Sequence, residues 1–181
     1  LTPLTFLERA KDIYPNYEAV IYENKTYTWA QIYSRCTQFA SALEKIGIGK
    51  GDTVSVMACN TPEIFEAHYA IPMTGAVLNT INIRLDAKTV AYILEHSDAK
   101  VLIVDRQFHE VVKKALSSIE KNIKIIDIQD NHADQSKLKK IPITKTLGWC
   151  DDIKSKLYNK PIKINRNIRH EKLFRNNAKN P

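Results

Sequence analysis

From Gly51 to Asp105 the hydrophobic pattern alternates between a two-residue and a helical period, and that alternation limits the fold more than any other feature of the chain. Thr53–Met57 is an apolar, β-branched run of strand type. Thr61-Pro62 follows, a capping hydroxyl and then a proline at the first helical position, where its missing N–H is not needed. Ile64, Phe65, His68 and Tyr69 then recur on one helical face, before Pro72 and Gly75 bend or stop the helix. Ala76–Asn79 reads as a short buried strand. Asp86 can cap a second helix that presents Val90, Ile93 and Leu94, and Lys100–Val104 is a third strand ended by Asp105. Strand and helix in alternation, at short connection lengths, make βαβ units. The expected fold is α/β, a largely parallel sheet flanked by helices.

The flanking segments extend this pattern. Thr5-Phe6-Leu7-Glu8 has capping-box spacing, with Phe6, Leu7, Ala10 and Ile13 on one apolar face and Pro15 closing the helix. Ala19–Tyr22 and Thr26–Thr28 read as a hairpin turning at Glu23-Asn24-Lys25. Thr28-Trp29-Ala30-Gln31 opens a helix that buries Ile32, Cys36, Phe39, Ala40 and Leu43, with Gly47 as its left-handed terminator. Beyond Asp105, Phe108–Ile119 reads as a helix and Lys124–Ile128 as a further strand. Gln129–Lys140 is polar and linker-like, Trp149–Leu157 carries a weak helical period, and Asn159–Pro181 is basic, Asn-rich and of disordered composition. The domain reading is therefore 1–128 for the α/β unit and 129–181 for a linker and an irregular basic tail.

At 181 residues and 44% apolar, the chain suffices for one domain with a core. No apolar run reaches the ~18 residues of a membrane span, so a soluble protein is expected. Leu1 at the first position, with no export signal after it, is expected of a fragment or trimmed chain in the cytoplasm. Residues 1–136 hold 14 Lys/Arg against 17 Asp/Glu, a net −3, and residues 137–181 hold 13 against 3, a net +10. The overall +7 thus belongs to the tail, and only the tail could argue for nucleic acid. Its aromatics, Trp149, Tyr158 and Phe174, are too sparse for a base-stacking platform. Cys36, Cys59 and Cys150 follow no disulfide or metal spacing and read as idle thiols in a reducing compartment.

Candidate chemistry is thin. Gly47-x-Gly49-x-Gly51 is the one glycine-rich stretch, but it lies after a helix and before a strand, the reverse of a phosphate-cradling loop. A helix cap plus a turn is the better reading, with Lys50 solvated. This also weakens a Rossmann-type nucleotide domain. His68 reads as a buried histidine with one backbone partner, and His96 and His109 as ordinary exposed histidines near helix ends. Asn79–Arg84 leaves the carboxyl end of a parallel strand, where open α/β sheets place ligands, and Arg84 could pair with a carboxylate or phosphate. The competing reading has the asparagines satisfying a loop and Arg84 paired structurally.

Tyr27-Thr28-Trp29, the G-x-G-x-G-D-x-V pattern of Gly47–Val54, Gly75–Leu85 and Ile93-Leu94-x-x-Ser97, in this order and spacing, closely resemble the AMP-forming acyl-CoA synthetases. The nearest likeness is to the bacterial branch acting on medium- or longer-chain fatty acids, and it runs from residue 1 to about residue 128. The resemblance implies the N-terminal α/β portion of an enzyme that uses ATP and Mg²⁺ to form an acyl-adenylate and then passes the acyl group to coenzyme A. It implies fatty acid, ATP and CoA as partners of the full-length family. The Thr/Ser/Gly-rich phosphate loop ending in Pro-Lys-Gly, the ribose-binding aspartate and the mobile lysine of that family have no counterpart in these 181 residues. No catalytic, cofactor-binding or metal-binding residue therefore carries over, and no cofactor is expected for this chain.

After Ile128 the family pattern fails, and Trp149 and Asp151-Asp152 are faint echoes of its acidic, tryptophan-containing stretch. A shifted reading frame accounts for this. Codons TCA GGA ACA ACN for Ser-Gly-Thr-Thr contain, out of frame, AGG AAC AAC, which is the Arg175-Asn176-Asn177 found where the phosphate loop would be due. The expectation is an N-terminal ligase fragment that is inactive alone. The alternative is a small non-catalytic module whose basic tail binds nucleic acid.

Overall fold

In the computed structural model, residues 2–128 and the strand Thr146–Gly148 are described. The expectations for Gln129–Lys140, Trp149–Leu157, Asn159–Pro181 and Cys150 lie outside the described residues.

The first helix, α1 (Pro3–Ile13), starts earlier than the Thr5–Glu8 spacing predicts. Pro3 suits the first helical position, so Thr2 becomes the cap and Thr5 the reciprocal partner. The Thr5 N–H donates to Thr2 Oγ1 at 3.4 Å, and the Thr2 N–H donates to Thr5 Oγ1 at 3.3 Å. Of the face expected to be inward, only Leu7 is buried, while Phe6 and Ile13 are exposed. β1 (Glu18–Tyr22) and β2 (Lys25–Thr28) form the expected hairpin as a separate two-stranded antiparallel sheet. Its turn is tighter than predicted: Glu23 takes φ +52°, and Lys25 already pairs with Tyr22.

α2 (Trp29–Lys45) carries the second capping box as read, with the Thr28 N–H donating to Gln31 Oε1 at 2.8 Å. It buries Ile32, Cys36, Phe39, Ala40 and Leu43. At its end Gly47 adopts φ +86°, its N–H donates to the Glu44 carbonyl at 2.9 Å, and the Ile48 N–H donates to the Leu43 carbonyl at 3.0 Å. That pair of bonds is the Schellman termination glycine permits. The rest of the glycine-rich stretch is a turn, closed by the Gly49 N–H donating to Asp52 Oδ2 at 2.9 Å.

Five parallel strands then build the main sheet in the order β4-β3-β5-β6-β7, with β3 (Thr53–Met57), β4 (Val77–Thr80), β5 (Ala99–Asp105), β6 (Lys124–Ile128) and β7 (Thr146–Gly148). The connecting helices are α3 (Pro62–Met73), α4 (Ala87–His96) and, after a 3₁₀ turn at Arg106–Phe108, α5 (His109–Leu116). Alternate strand residues face opposite layers. Val54, Val56, Val101, Ile103, Ile126 and Ile128 join a core with α2 and α3. Met57, Leu102, Val104 and Ile125 join a second core with α4 and α5. A register shift between Thr53 and Val54, opposite Lys100, sets the start of β5.

Two expectations about the sheet need correction. Ala76–Asn79 is not a buried strand. It is the edge strand β4, paired only to β3, with Val77 and Thr80 exposed. And β7 arises from the stretch read as linker and tail, since three residues are too few for a hydrophobic period to register.

Candidate functional site

The strand order fixes where a parallel sheet can meet a ligand. β4 leaves β3 on one side, whereas β5, next in sequence, lies on β3's other side. The loops after β3 and β5 therefore diverge at their carboxyl ends, the topological switch point at which open α/β sheets form a crevice. The side chains gathered there are polar. The Gln107 amide donates to Asp105 Oδ2 at 2.9 Å and to Cys59 Sγ at 3.3 Å, joining the end of β5 to the loop after β3. The Gln107 N–H caps back onto Asp105 Oδ1 at 3.1 Å. Arg106 Nε donates to Asp127 Oδ2 at the end of β6, making an ion pair that is largely buried. Asp127 Oδ1 is buried and makes no hydrogen bond to a described residue. Burial pushes the Asp127 carboxyl above its ordinary value, against the opposing pull of Arg106.

Other residues singled out in the sequence are scattered. His68 is exposed rather than buried, because the inward face of α3 is Glu66, Ala67, Ala70 and Ile71; its Nδ1 does have the expected backbone partner, the Ile64 carbonyl at 2.7 Å. His109, the first residue of α5 directly after the 3₁₀ turn, is buried rather than exposed. His109 Nε2 lies 3.0 Å from Glu110 Oε1, and Nδ1 has no partner among the described residues. His96 is exposed and stacks on Tyr92. The Asn79–Arg84 segment does leave the carboxyl end of β4, but its asparagines serve the loop. Asn79 donates to Ser55 Oγ at 3.0 Å, and Asn82 Oδ1 accepts the Arg84 N–H at 2.9 Å. The Arg84 side chain is exposed. Cys36 is buried beneath α3, with its thiol pushed far up by desolvation, as befits an idle thiol.

A second concavity lies between β1 and the first turns of α3, and the loop after β3 contributes Asn60 and Thr61 to its wall. It is a cleft of ≈ 620 Å³ lined by Val20, Ile21, Pro62, Ile64, Phe65 and Tyr69. Thr61 also lines it; although it is the cap residue of α3, its hydroxyl makes no cap bond and is buried without a partner among the described residues.

The described residues do not fit a magnesium–nucleotide site. The loop after β3, Ala58-Cys59-Asn60-Thr61, has no glycine that would let backbone N–H groups close on phosphate. Among the described residues no three His, Cys, Asp or Glu side chains gather as metal ligands. Asp105 and Asp127 are already engaged by Gln107 and Arg106.

Similarity to known proteins agrees with the fold just described. A family model described as AMP-binding enzyme matches residues 7–163. An acetate–CoA ligase of Humulus lupulus is 52% identical over 116 residues, 64% of this chain and 20% of that protein. A benzoate–CoA ligase of Arabidopsis thaliana, named as peroxisomal, is 46% identical over 136 residues, 72% of this chain and 23% of that protein. Among solved structures, an anthranilate CoA ligase in complex with anthranoyl-AMP superposes with a TM-score of 0.72 at 23% identity, over 83% of this chain and 27% of that one. That likeness shows the fold alone. The chain thus spans about a fifth of the length of the curated relatives it matches. Within that fifth, a match reaching from α1 to beyond β7 leaves one assignment: the chain belongs to the AMP-binding enzyme family.

Proposed function

We propose that this chain is the N-terminal portion of an acid–coenzyme A ligase, an enzyme class that activates a carboxylic acid as its adenylate and then transfers the acyl group to the CoA thiol. The observation that carries this is the 52% identity to an acetate–CoA ligase across the α/β unit. The acid is a fatty acid in this reading. The acetate ligase and a butyrate–CoA ligase of Arabidopsis thaliana among the relatives support an aliphatic substrate, while the benzoate relative favours an aromatic acid as the second reading. ATP, Mg²⁺ and CoA belong to the full-length enzyme. The described residues supply no site for them, and the 181-residue chain is inactive alone. A cytoplasmic location goes with this reading, on cysteines that follow no disulfide spacing; cell fractionation tests it.

Two experiments bear on the proposal. The purified chain is expected to show no ATP–pyrophosphate exchange with acetate, butyrate, benzoate or longer fatty acids, and acid-dependent exchange would refute the inactivity. Sequencing the transcript beyond codon 128 and translating all three frames is expected to reveal Ser-Gly-Thr-Thr and Pro-Lys-Gly. Their absence from every frame would refute the shifted reading frame. Steeply salt-dependent binding of RNA or DNA, lost on removing residues 137–181, would instead favour the nucleic-acid module.

A further inference from the structure

We propose that the cleft between β1 and α3 binds a flat, uncharged aromatic diol, a molecule about 10 Å long with a hydroxyl at each end. The inference stands on the cleft itself and goes beyond the ligase reading.

The helix wall of the cleft follows one spacing. Thr61, Ile64, Phe65 and His68 all line it, and positions i, i+3, i+4 and i+7 share one helical face. The polar groups of Thr61 and His68 therefore belong to positions two turns apart, about 10 Å along the axis, with apolar side chains between them. Val20 and Ile21 of β1 form the facing wall. At ≈ 620 Å³ the cleft has the size of a small-molecule site, in which apolar walls carry a few placed polar groups.

Both polar groups have bonding capacity to spare. His68 Nδ1 lies 2.7 Å from the Ile64 carbonyl, which can only accept, so Nδ1 carries the hydrogen. In the neutral ring Nε2 is then an acceptor, and no described residue bonds to it. The Thr61 hydroxyl is buried, makes no cap bond and has no partner among the described residues. A buried polar atom left unpaired is costly, and a ligand that pairs it removes that cost.

Charge and shape narrow the ligand further. No Lys, Arg, Asp or Glu lines the cleft, so a carboxylate or phosphate would be desolvated there without a counter-charge. An uncharged hydroxyl suits both ends. It donates to His68 Nε2, and it either donates to or accepts from Thr61. Phe65 and Tyr69 already pack edge-on with ring centres 5.3 Å apart, and a ring laid beside them extends that cluster.

The test titrates the full 181-residue chain with para,para′-biphenol, by equilibrium dialysis and by NMR of the histidine rings. Saturable one-to-one binding is expected, with the His68 ring signals shifted and the Nδ1–H form retained. The corresponding biphenyl dicarboxylate is expected to bind about tenfold more weakly or worse. His68→Phe keeps the apolar face without the acceptor, and Thr61→Val keeps the shape without the hydroxyl. Each is expected to weaken biphenol binding by about fivefold to tenfold. Thr61 makes no cap bond to lose, and circular dichroism confirms that both variants melt as the parent does. Tyr92→Lys, at an exposed position on α4, is expected to leave binding unchanged. Absence of saturable binding, an unmoved His68 ring, equal binding of the dicarboxylate, or undiminished binding by either cleft variant overturns the proposal. Equal loss in Tyr92→Lys also overturns it, because the ligand then sits on exposed apolar surface at large. Should a cleft variant melt below the parent, the His68 ring of the parent and the dicarboxylate comparison decide the matter.

Discussion

Arg35→Met is expected to destabilise the fold by about 4 kcal/mol at pH 7 but by only about 1 kcal/mol at pH 5. Arg35 on α2 donates from Nε and, at 3.2 Å, from Nη2 to the two carboxylate oxygens of Glu66 on α3. Glu66 is 1% exposed, and the guanidinium also lies 4.8 Å from the centre of the Tyr27 ring. Methionine keeps the apolar stem but takes from the buried carboxylate the guanidinium that bonds both of its oxygens. Removing one partner of such a pair costs roughly 3–5 kcal/mol. Proton uptake limits that cost. Moving a carboxyl from its ordinary value near 4.3 to neutrality requires about 1.4 kcal/mol per pH unit, hence a ceiling of about 4 kcal/mol at pH 7 and 1 at pH 5. The sign follows from linkage: in the variant the folded-state value of Glu66 is raised. Its stability is therefore highest below the unfolded value and is lost as pH rises through the folded one. Urea unfolding followed by circular dichroism at both pH values reads this out. The double variant Arg35→Met/Glu66→Leu, with no charge to desolvate, is expected to recover most of the loss at pH 7. A penalty equal at pH 5 and pH 7, or a double variant no better than the single one, would refute the reasoning.

Other consequences are as direct. Gly75→Ala is expected to cost about 1–2 kcal/mol in urea unfolding, because an L side chain resists left-handed backbone; Gly75 has φ +79°, and the added Cβ would also stand 3.3 Å from the Lys50 backbone. Asp127→Asn is expected to steepen the rise of stability from acid toward neutral pH in urea unfolding. The raised carboxyl of Asp127 makes the parent lose stability as pH rises from the ordinary carboxylate range through the folded value, and asparagine cannot titrate. Asp86→Ala is expected to do the opposite. Asp86 is held below its ordinary value by the Thr89 N–H, so its contribution is present at neutral pH and lost as pH falls through the folded value, and the alanine variant should differ least from the parent in acid.

The elements of residues 1–128 were largely legible because each carries its own punctuation. Thr28 with Gln31, Gly47 and Asp86 mark helix ends through local hydrogen bonds that need no knowledge of the rest of the chain. Which faces are covered was less legible. The periodicity of Phe6, Leu7, Ala10 and Ile13 is real, but only Leu7 meets a neighbour that buries it, and periodicity does not say what packs against a stripe. The edge position of β4 was hidden for the same reason, since it depends on strand order. The switch-point cluster was the largest omission. Its one local signal was an acid closing or nearly closing each apolar run, Asp105 after VLIV and Asp127 within KIIDI. Nothing in the linear order says that these two carboxylates end on neighbouring strands.

The order β4-β3-β5-β6-β7 also has a temporal meaning. β3 is the first of the five to leave the ribosome. β4 adds to one of its edges, β5 to the other, and β6 and β7 each extend the last edge formed. No strand has to be threaded between two already paired, so the sheet can accrete during synthesis without undoing an earlier pairing. Its slowest closure is the pairing of Thr53 with Ala99, which must wait for α3, β4 and α4 to emerge and then bridge the largest loop between adjacent strands of residues 53–128. A nascent chain stalled with Asp105 just outside the exit tunnel should therefore already resist protease across the three strands β4-β3-β5, whereas one stalled after Thr80 should not.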